Sequence, residues 1–202
     1  MNMHKNHLEH KPIILASASP RRKEILSLSG LDFDVMAPSC REDDVTADSP
    51  SDLVERLSVR KCEAGCLLAE KTCQDALVIG ADTIVCHRGI VLGKPKDEQD
   101  AAAMLHALSG DTHVVYTGVT VKDLKSGRMV TFHEMTEVVF YELSEEEIDA
   151  YVNTGEPMDK AGAYGIQGRG AYLVKGIYGD YLNVVGLPFA KLLRVLRSAF
   201  AD

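Results

Sequence analysis

The hydrophobic residues of this chain fall into short apolar runs separated by amphipathic segments, a pattern that predicts strands alternating with helices. Residues 13–16 form an apolar run that predicts a buried strand. Ser19 and Pro20 follow it and predict a helix that begins there and ends near Gly30. Further strands are predicted over residues 31–37, 76–85, 90–92, 113–121, 129–143, 171–177 and 181–185, and further helices over residues 51–71, 97–108, 144–155 and 187–200.

This order of elements favours an α/β fold with a mixed β-sheet. Short strand–helix–strand units at the start of the chain are typical of parallel pairing, whereas the long strands after residue 112 are joined by a tight turn and favour antiparallel pairing. The chain shows no internal repeat, no low-complexity linker and no clear domain boundary. We therefore expect a disordered, histidine-rich tail over residues 1–11 and one domain over residues 12–202.

Composition limits the classes of function. The chain has 202 residues, of which 46% are hydrophobic, so it is long enough to bury a substantial core. Its net charge of −8 argues against non-specific nucleic-acid binding, which needs a basic face. No apolar run approaches the about 18 residues of a membrane-spanning helix, and the polar start is not a secretory signal. The prediction is a cytoplasmic protein without a membrane or nucleic-acid partner.

The five cysteines are odd in number and contain no C-x-x-C pair, which indicates free thiols in a reducing compartment. Cys62 and Cys66 lie four residues apart on a predicted helix and could share one face as a pair of metal ligands. Two buried thiols that bind nothing are the other interpretation.

The first turn of the helix at Pro20 carries three cations, Arg21, Arg22 and Lys23. The helix dipole disfavours positive charge at that end, where an acidic residue would be expected. The conflict disappears if backbone N–H groups, Ser17, Ser19 and the arginines converge there on a phosphate. A solvated basic helix start is the alternative.

Asp82 follows the most apolar strand of the chain, and a carboxylate at the end of a buried strand is costly unless it is paired or used. Ligands of open α/β sheets bind at the carboxyl ends of strands, so Asp82 is the best candidate for chemistry. A structural Asp that caps a turn is the alternative. The predicted hairpin after Asp82 returns the chain through Gly93 to Lys94, so we expect this lysine near the same cleft.

Three further segments contain weaker candidates. The loop over residues 38–50 carries Glu42 among other acidic residues, and it is either a solvated loop or a source of metal ligands. Lys61 lies mid-helix and by itself predicts a solvent-facing side chain. Residues 158–170 are dense in glycine, which permits either close approach to a ligand or a flexible loop. Together with the cationic turn and Asp82, these features fit metal-assisted cleavage of a phosphate anhydride, whereas neither a P-loop nor a dinucleotide-binding glycine pattern is present.

Several motifs, in this order, resemble the Maf family of nucleoside triphosphate pyrophosphatases, which are often named septum formation inhibitors. The resemblance covers about residues 13–193 and rests on residues 15–22, 80–83, 93–95, 108–110, 155–168 and 183–188. It implies an elongated mixed β-sheet with flanking helices and two lobes around a cleft, similar to inosine triphosphate pyrophosphatases. It also implies hydrolysis of a nucleoside triphosphate with a divalent cation, Mg²⁺ or Mn²⁺, and a homodimer.

The resemblance assigns roles residue by residue. Asp82 matches the catalytic base, and whether it is base, metal ligand or both stays open. The positions for phosphate or metal are matched by Ser17, Arg22, Glu42, Lys61 and Lys94, with Glu42 and Asp82 as the metal ligands. The positions that set substrate choice are matched by Arg21, Thr83 and Gln167, the set typical of the branch that acts on dTTP and UTP. Arg41 departs from the family, because an acidic residue is common before Glu42.

The sequence thus predicts a metal-dependent nucleoside triphosphate diphosphatase. We expect it to convert dTTP and UTP, or modified pyrimidine nucleotides, to the monophosphate and pyrophosphate. Such a house-cleaning role carries a family link to arrest of cell division. A non-catalytic nucleotide sensor that acts on division through a partner is the competing hypothesis. Because a pure binder could lose the base, the presence of both Asp82 and Lys94 favours the enzyme.

Overall fold

The computed structural model describes residues 11–41 and 44–200. Its strands are β1 (Ile13–Ala16), β2 (Phe33–Met36), β3 (Leu77–His87), β4 (Ile90–Leu92), β5 (Thr112–Asp123), β6 (Met129–Phe140) and β7 (Val174–Tyr178). Its helices are α1 (Pro20–Ser27), α2 (Pro50–Ala69), α3 (Glu98–Leu108), α4 (Glu145–Val152), α5 (Tyr181–Val185) and α6 (Phe189–Phe200). Three short 3₁₀ turns lie over Glu156–Asp159, Ala161–Ala163 and Gly168–Leu173.

The strands form one seven-stranded mixed sheet in the order β2-β1-β3-β5-β6-β7, with β4 paired to β3. β1 runs parallel to β2 and β3, whereas β4 is antiparallel to β3 and β7 is antiparallel to β6. The expected α/β fold with a mixed sheet and flanking helices is confirmed. Among the helices of the described segments, none is both long and apolar enough to cross a membrane.

The chain divides into two compact units, although the sequence shows no clear boundary. The first unit contains the described residues up to Asp82 together with 117–134 and 186–200, and the second contains 83–116 and 135–185. The division falls inside β3, β5 and β6, so each unit is assembled from separate segments. This is why no linker composition marks it in the sequence.

Each unit has a core of its own. In the first unit, buried residues of β1, α2 and β3, and of the segment that leads into β3, pack together: Ile14, Ala16, Cys62, Cys66, Ala69, Ala76 and Val78. The core of the second unit includes Leu105, Val138, Phe140, Ile148, Tyr151 and Leu173. The cysteines carry free thiols as expected, and Cys62, Cys66 and Cys86 are buried.

Helix starts agree with the sequence because their signals are local. Ser49 accepts a hydrogen bond at the start of α2, Asp97 does so for α3, and Ser144 with Glu147 forms a capping box for α4. The side chain of Ser19, in contrast, makes no capping hydrogen bond at α1. The helix predicted to run to the residue before Gly30 ends at Ser27, and Gly30 follows with φ of +69°.

The strand predicted over residues 181–185 is wrong, since this segment is helix α5. Asp180 starts the helix by accepting the N–H of Leu182, and the buried amide of Asn183 donates to the carbonyl of Val115 at 3.1 Å and to Thr136 at 3.0 Å. A short apolar run cannot distinguish a strand from a helix by periodicity. Here the buried side chain of Asn183, whose hydrogen-bond partners lie far away in the sequence, favours the helix.

The tail predicted over residues 1–11 lies almost entirely outside the described residues. Lys11, its last residue, is described, and its ammonium group donates to the carboxylate of Asp123 at 2.7 Å.

Candidate active site

The turn between β1 and α1 holds Ser17 and Arg22 against each other. The buried hydroxyl oxygen of Ser17 accepts the N–H of Ser19 at 3.2 Å and an Nη1–H of Arg22 at 3.3 Å. Nε of Arg22 also donates to the carbonyl of Gly186 at 2.8 Å. The Arg22 guanidinium is therefore oriented by two fixed oxygen atoms and is only partly exposed, so a solvated helix start does not describe this residue.

The other cations of this turn differ in environment. Arg21, the second residue of α1, is partly exposed, whereas Lys23 is exposed to solvent. No acidic residue lies in the first turn of α1. The helix N-terminus thus has the positive character that the sequence predicts, with the backbone N–H groups and Arg22 as donors for an anion.

Asp82 contacts Lys61, which corrects the expectation of a solvent-facing lysine. The ammonium group of Lys61, on α2, donates to Oδ1 of Asp82 on β3. Both side chains are mostly buried, with 18% of Lys61 and 10% of Asp82 exposed. A buried carboxylate needs such a partner, because an unpaired charge in a protein interior is strongly unfavourable.

Two glycines allow α2 to pack closely enough for this contact. A Cβ on Gly80 would collide with the backbone of Cys62, and a Cβ on Gly65 would collide with the Cβ of Ala16. Alternate residues of a strand face the same side, so Asp82 lies on the same face as Gly80, next to α2. Lys61, adjacent to Cys62, reaches it there.

Asp82 is not at the end of its strand, as the sequence suggested, but in the middle of β3. The strand that ends close to Asp82 is β1, whose last residue, Ala16, pairs with Gly80. β3 continues past this point and pairs with β4 up to His87. Asp82 therefore lies just beyond the parallel pairing, beside the turn that contains Ser17.

Thr83, Lys94 and Gln167 belong to the second unit. Thr83 follows Asp82 on β3 and is partly exposed, and Lys94 is exposed in the segment after β4. The carbonyl of Gly93 accepts the N–H of Gly162 at 3.0 Å, which ties the segment of Lys94 to the glycine-rich residues.

The glycine-rich segment is ordered into 3₁₀ turns rather than a loose loop. Gln167 precedes the third turn and its side chain is exposed. Tyr151 and Glu156 hydrogen-bond to the backbone around it. Neither residue is among the candidates that the sequence predicts, and the local signal for Glu156 is an acidic residue directly after Gly155, between α4 and the first 3₁₀ turn.

Of the two predicted metal ligands, Glu42 and Asp82, the structure describes only Asp82. Glu42 lies outside the described residues. Within the described ranges, no group of three or more His, Cys, Asp or Glu side chains is close enough to hold a metal ion, and this includes Cys62 and Cys66. Asp82 is the one predicted metal ligand whose position is described.

The first unit thus brings together two pairs of predicted site residues, Ser17 with Arg22 and Asp82 with Lys61. The first pair presents donors for a phosphate, and the second presents a carboxylate oriented by an ammonium group. This combination suits hydrolysis of a phosphate anhydride, in which the protein supplies charge stabilisation and a proton acceptor.

Known proteins resemble this chain over nearly its whole length. The family described as Maf-like protein matches residues 12–199. A protein of Agathobacter rectalis named dTTP/UTP pyrophosphatase is 53% identical, over 94% of this chain and 98% of its own length. A protein of Bacillus cereus with the same name is 51% identical, over 95% of this chain and 97% of its own. Among solved structures, the Ham1 protein of Staphylococcus aureus is 15% identical over 95% of this chain and 91% of its own, with a TM-score of 0.47.

Proposed function

Because this chain belongs to the family of Maf-like proteins, we propose that it hydrolyses dTTP and UTP to the nucleoside monophosphate and pyrophosphate. One observation carries the proposal beyond the names of its relatives. The buried pair of Asp82 and Lys61 lies beside the turn in which Ser17 and Arg22 meet. A proton acceptor and a phosphate-binding helix start are thus neighbours in one unit.

The phosphate-binding role belongs to Ser17, Arg22, Lys61 and Lys94. Arg22 is already oriented by Ser17 and Gly186, so little conformational freedom is lost when it engages a phosphate. Guanidinium and ammonium groups offset the negative charge of the triphosphate, which otherwise repels an attacking oxygen.

Asp82 takes the proton of the attacking water. The water oxygen forms a bond to the α-phosphorus as the bond from that phosphorus to the bridging oxygen of the β-phosphate breaks, and pyrophosphate leaves with the bonding electrons. Lys61 contacts Oδ1 of Asp82, so we assign Oδ2 as the proton acceptor. Lys61 keeps the carboxylate in position during this transfer.

The residues also suit a divalent cation such as Mg²⁺ or Mn²⁺. Carboxylate oxygens are the ligands that these ions prefer, and Mg²⁺ is commonly held by one or two carboxylates together with substrate phosphates. Asp82 and Glu42 are the residues that would hold it. When bound, the cation would supply positive charge next to the phosphates.

Arg21, Thr83 and Gln167 are the residues to which we assign the choice of base. The amide of Gln167 offers both a donor and an acceptor, which suits the edge of a pyrimidine. Thr83 is small and neutral, whereas a Glu at this position would accept hydrogen bonds from the N–H-rich edge of a guanine. A site built to pair polar groups rejects a base that leaves them unpaired.

A pyrophosphate-release assay with Mg²⁺ tests the proposal. We expect kcat/KM to be highest for dTTP and UTP and well below that for dATP, GTP and 7-methyl-GTP. The double variant Arg21→Trp/Thr83→Glu should reduce this preference. If a purine triphosphate gives the highest kcat/KM, the assignment of the base is wrong. If no triphosphate is hydrolysed, the enzyme proposal is wrong and a nucleotide sensor becomes the better hypothesis.

A homodimer and a link to cell division stay predictions from the family resemblance, and a cytoplasmic location stays a prediction from the composition of the chain.

A further inference from the structure

Two side chains join the ends of the short segment from Gly165 to Gly170. The hydroxyl oxygen of Tyr151 accepts the N–H of Gly165 at 3.1 Å, and the hydroxyl donates to Oε1 of Glu156 at 3.0 Å. Oε1 of Glu156 accepts the N–H of Gly170 at 3.2 Å, and Oε2 accepts the N–H of Arg169 at 3.1 Å. We call Tyr151 and Glu156 the loop clamp, since they bind both ends of this segment.

The segment is closed tightly around the loop clamp. A Cβ on Gly170 would collide with the carbonyl oxygen of Gly165 and with the Tyr151 hydroxyl group. Gly168 has φ of +68°, and a Cβ there would lie 3.0 Å from Oε2 of Glu156. Glycine is therefore needed at both positions for close approach, and the glycines do not indicate a flexible loop here.

The loop clamp is itself anchored in the core of the second unit. Tyr151 lies on α4 and is 1% exposed, and its ring packs edge-on against Tyr172. Lys160 donates to the backbone carbonyl of Glu156, which fixes the start of the first 3₁₀ turn. The segment is thus tied to a buried side chain of the second unit.

The ionisation of the loop clamp agrees with its geometry. Burial alone would raise the pKa of Glu156, but the N–H groups of Arg169 and Gly170 and the Tyr151 hydroxyl outweigh it, so this pKa lies below its ordinary value. Burial raises the pKa of Tyr151. Near neutral pH the carboxylate of Glu156 is therefore ionised and the hydroxyl of Tyr151 is neutral. All four hydrogen bonds require this state.

Gln167 lies in the middle of the clamped segment. Its neighbour Ile166 packs against the core, whereas the Gln167 side chain is exposed. An amide can distinguish two bases only if its oxygen and its nitrogen are held in defined positions. The backbone of a segment with three glycines does not hold them without support.

We propose that Tyr151 and Glu156 are positioning residues that determine base choice by fixing the backbone that carries Gln167. This inference rests on the proposed function, in which Gln167 contacts the base. The competing explanation is purely structural, with the loop clamp stabilising the second unit and having no effect on specificity. The two explanations differ in how Glu156, Tyr151 and Gln167 variants combine.

The experiment is a double-mutant cycle that measures discrimination between dTTP and dATP. The variants are Glu156→Gln, Tyr151→Phe and Gln167→Ala, together with Glu156→Gln/Gln167→Ala, and the readout is kcat/KM for dTTP divided by kcat/KM for dATP. Glu156→Gln removes one acceptor oxygen, and Tyr151→Phe removes the hydroxyl but keeps the buried ring. We expect each to reduce the ratio by about tenfold, mainly through KM for dTTP. The double variant should show no further loss beyond Gln167→Ala.

Glu147→Gln is the matched control, because it removes a carboxylate from the same unit at the capping box of α4 and not at the loop clamp. It should leave the ratio unchanged. The inference is overturned if Glu156→Gln lowers activity on both substrates equally, or if its effect multiplies with that of Gln167→Ala. If Glu156→Gln does not fold by circular dichroism, Tyr151→Phe decides the question. A wild-type protein without hydrolytic activity would overturn the proposed function itself, which is a different result from active variants with unchanged discrimination.

Discussion

The contact between Lys61 and Asp82 orients the carboxylate that we propose as the proton acceptor. Each charge is mostly buried and each satisfies the other. A pair of this kind adds little net stability, but removal of one member leaves the other buried without a partner. The contact is thus better explained by a need for an oriented carboxylate than by a need for stability.

Asp82→Asn should reduce kcat by about a hundredfold or more, because the amide cannot take a proton from water. It should also lower the free energy of unfolding, since Lys61 loses its partner, and Lys61→Met/Asp82→Asn should restore stability without restoring activity. Pyrophosphate release and urea unfolding measure the two effects. Asp52→Asn is the control, as it removes a partly exposed carboxylate of α2 that pairs with Arg56. Retention of more than about a tenth of wild-type activity in Asp82→Asn would show that Asp82 is not the base.

Between elements, the close packing of α2 on β3 makes the contact of Lys61 with Asp82 geometrically feasible. The absence of a side chain at Gly80 lets the backbone of Cys62 approach β3, and Cys62 also donates its S–H to the carbonyl of Val78 at 3.3 Å. Because the two elements are closely packed, a methyl group added at Gly80 would push α2 away from β3.

Gly80→Ala should displace α2 from β3 and separate Lys61 from Asp82. We expect a loss of about 1–3 kcal/mol in stability from overpacking, together with a fall in kcat. Thermal unfolding and the pyrophosphate assay report these effects. Gly176→Ala is the matched control, because Gly176 also lies in a strand and a Cβ there meets nothing within 4 Å. Unchanged activity and stability in Gly80→Ala would mean that α2 does not need this close approach.

For the whole molecule, stability at mildly acidic pH depends on a buried histidine in the second unit. His113 is 1% exposed and packs edge-on against Phe140 and Tyr164, and one of its nitrogens lies 2.7 Å from the Tyr164 hydroxyl. Burial lowers the pKa of His113 from 6.5 to about 4, and the charge of His87 adds to this while that of Asp111 opposes it. Folding therefore keeps this imidazole neutral.

Stability should fall as the pH decreases from about 6.5 to about 4. In this window the unfolded chain binds a proton at His113 that the folded chain does not, so acidification favours unfolding. The complete loss is roughly 3–4 kcal/mol. His113→Gln should be less stable than the wild type at pH 7 but should lose less on acidification, as measured by urea unfolding at several pH values. His106→Gln, which removes an exposed histidine, should keep the wild-type dependence. Equal pH dependence in wild type and His113→Gln would show that His113 does not titrate in this range.

The sequence by itself determined those features whose signals lie within a few residues. The helix starts near residues 51, 97 and 144 are predicted for this reason, because a cap is a contact between residues three positions apart. The apolar runs predict β1 and β3 for the same local reason, since burial of both faces needs only apolar residues in succession. The order of motifs identified the family.

The tertiary structure alone decided the features that depend on residues far apart in the chain. Lys61 had no local sign of a partner, because Asp82 is 21 positions away and is reached only when α2 packs on β3. Residues 181–185 became helix α5 through the distant partners of Asn183. The loop clamp closes because Tyr151 reaches Gly165 from another element. A local pattern reports burial and turns, whereas such contacts arise only when separate elements pack, and packing is set by the shapes of all the side chains that meet.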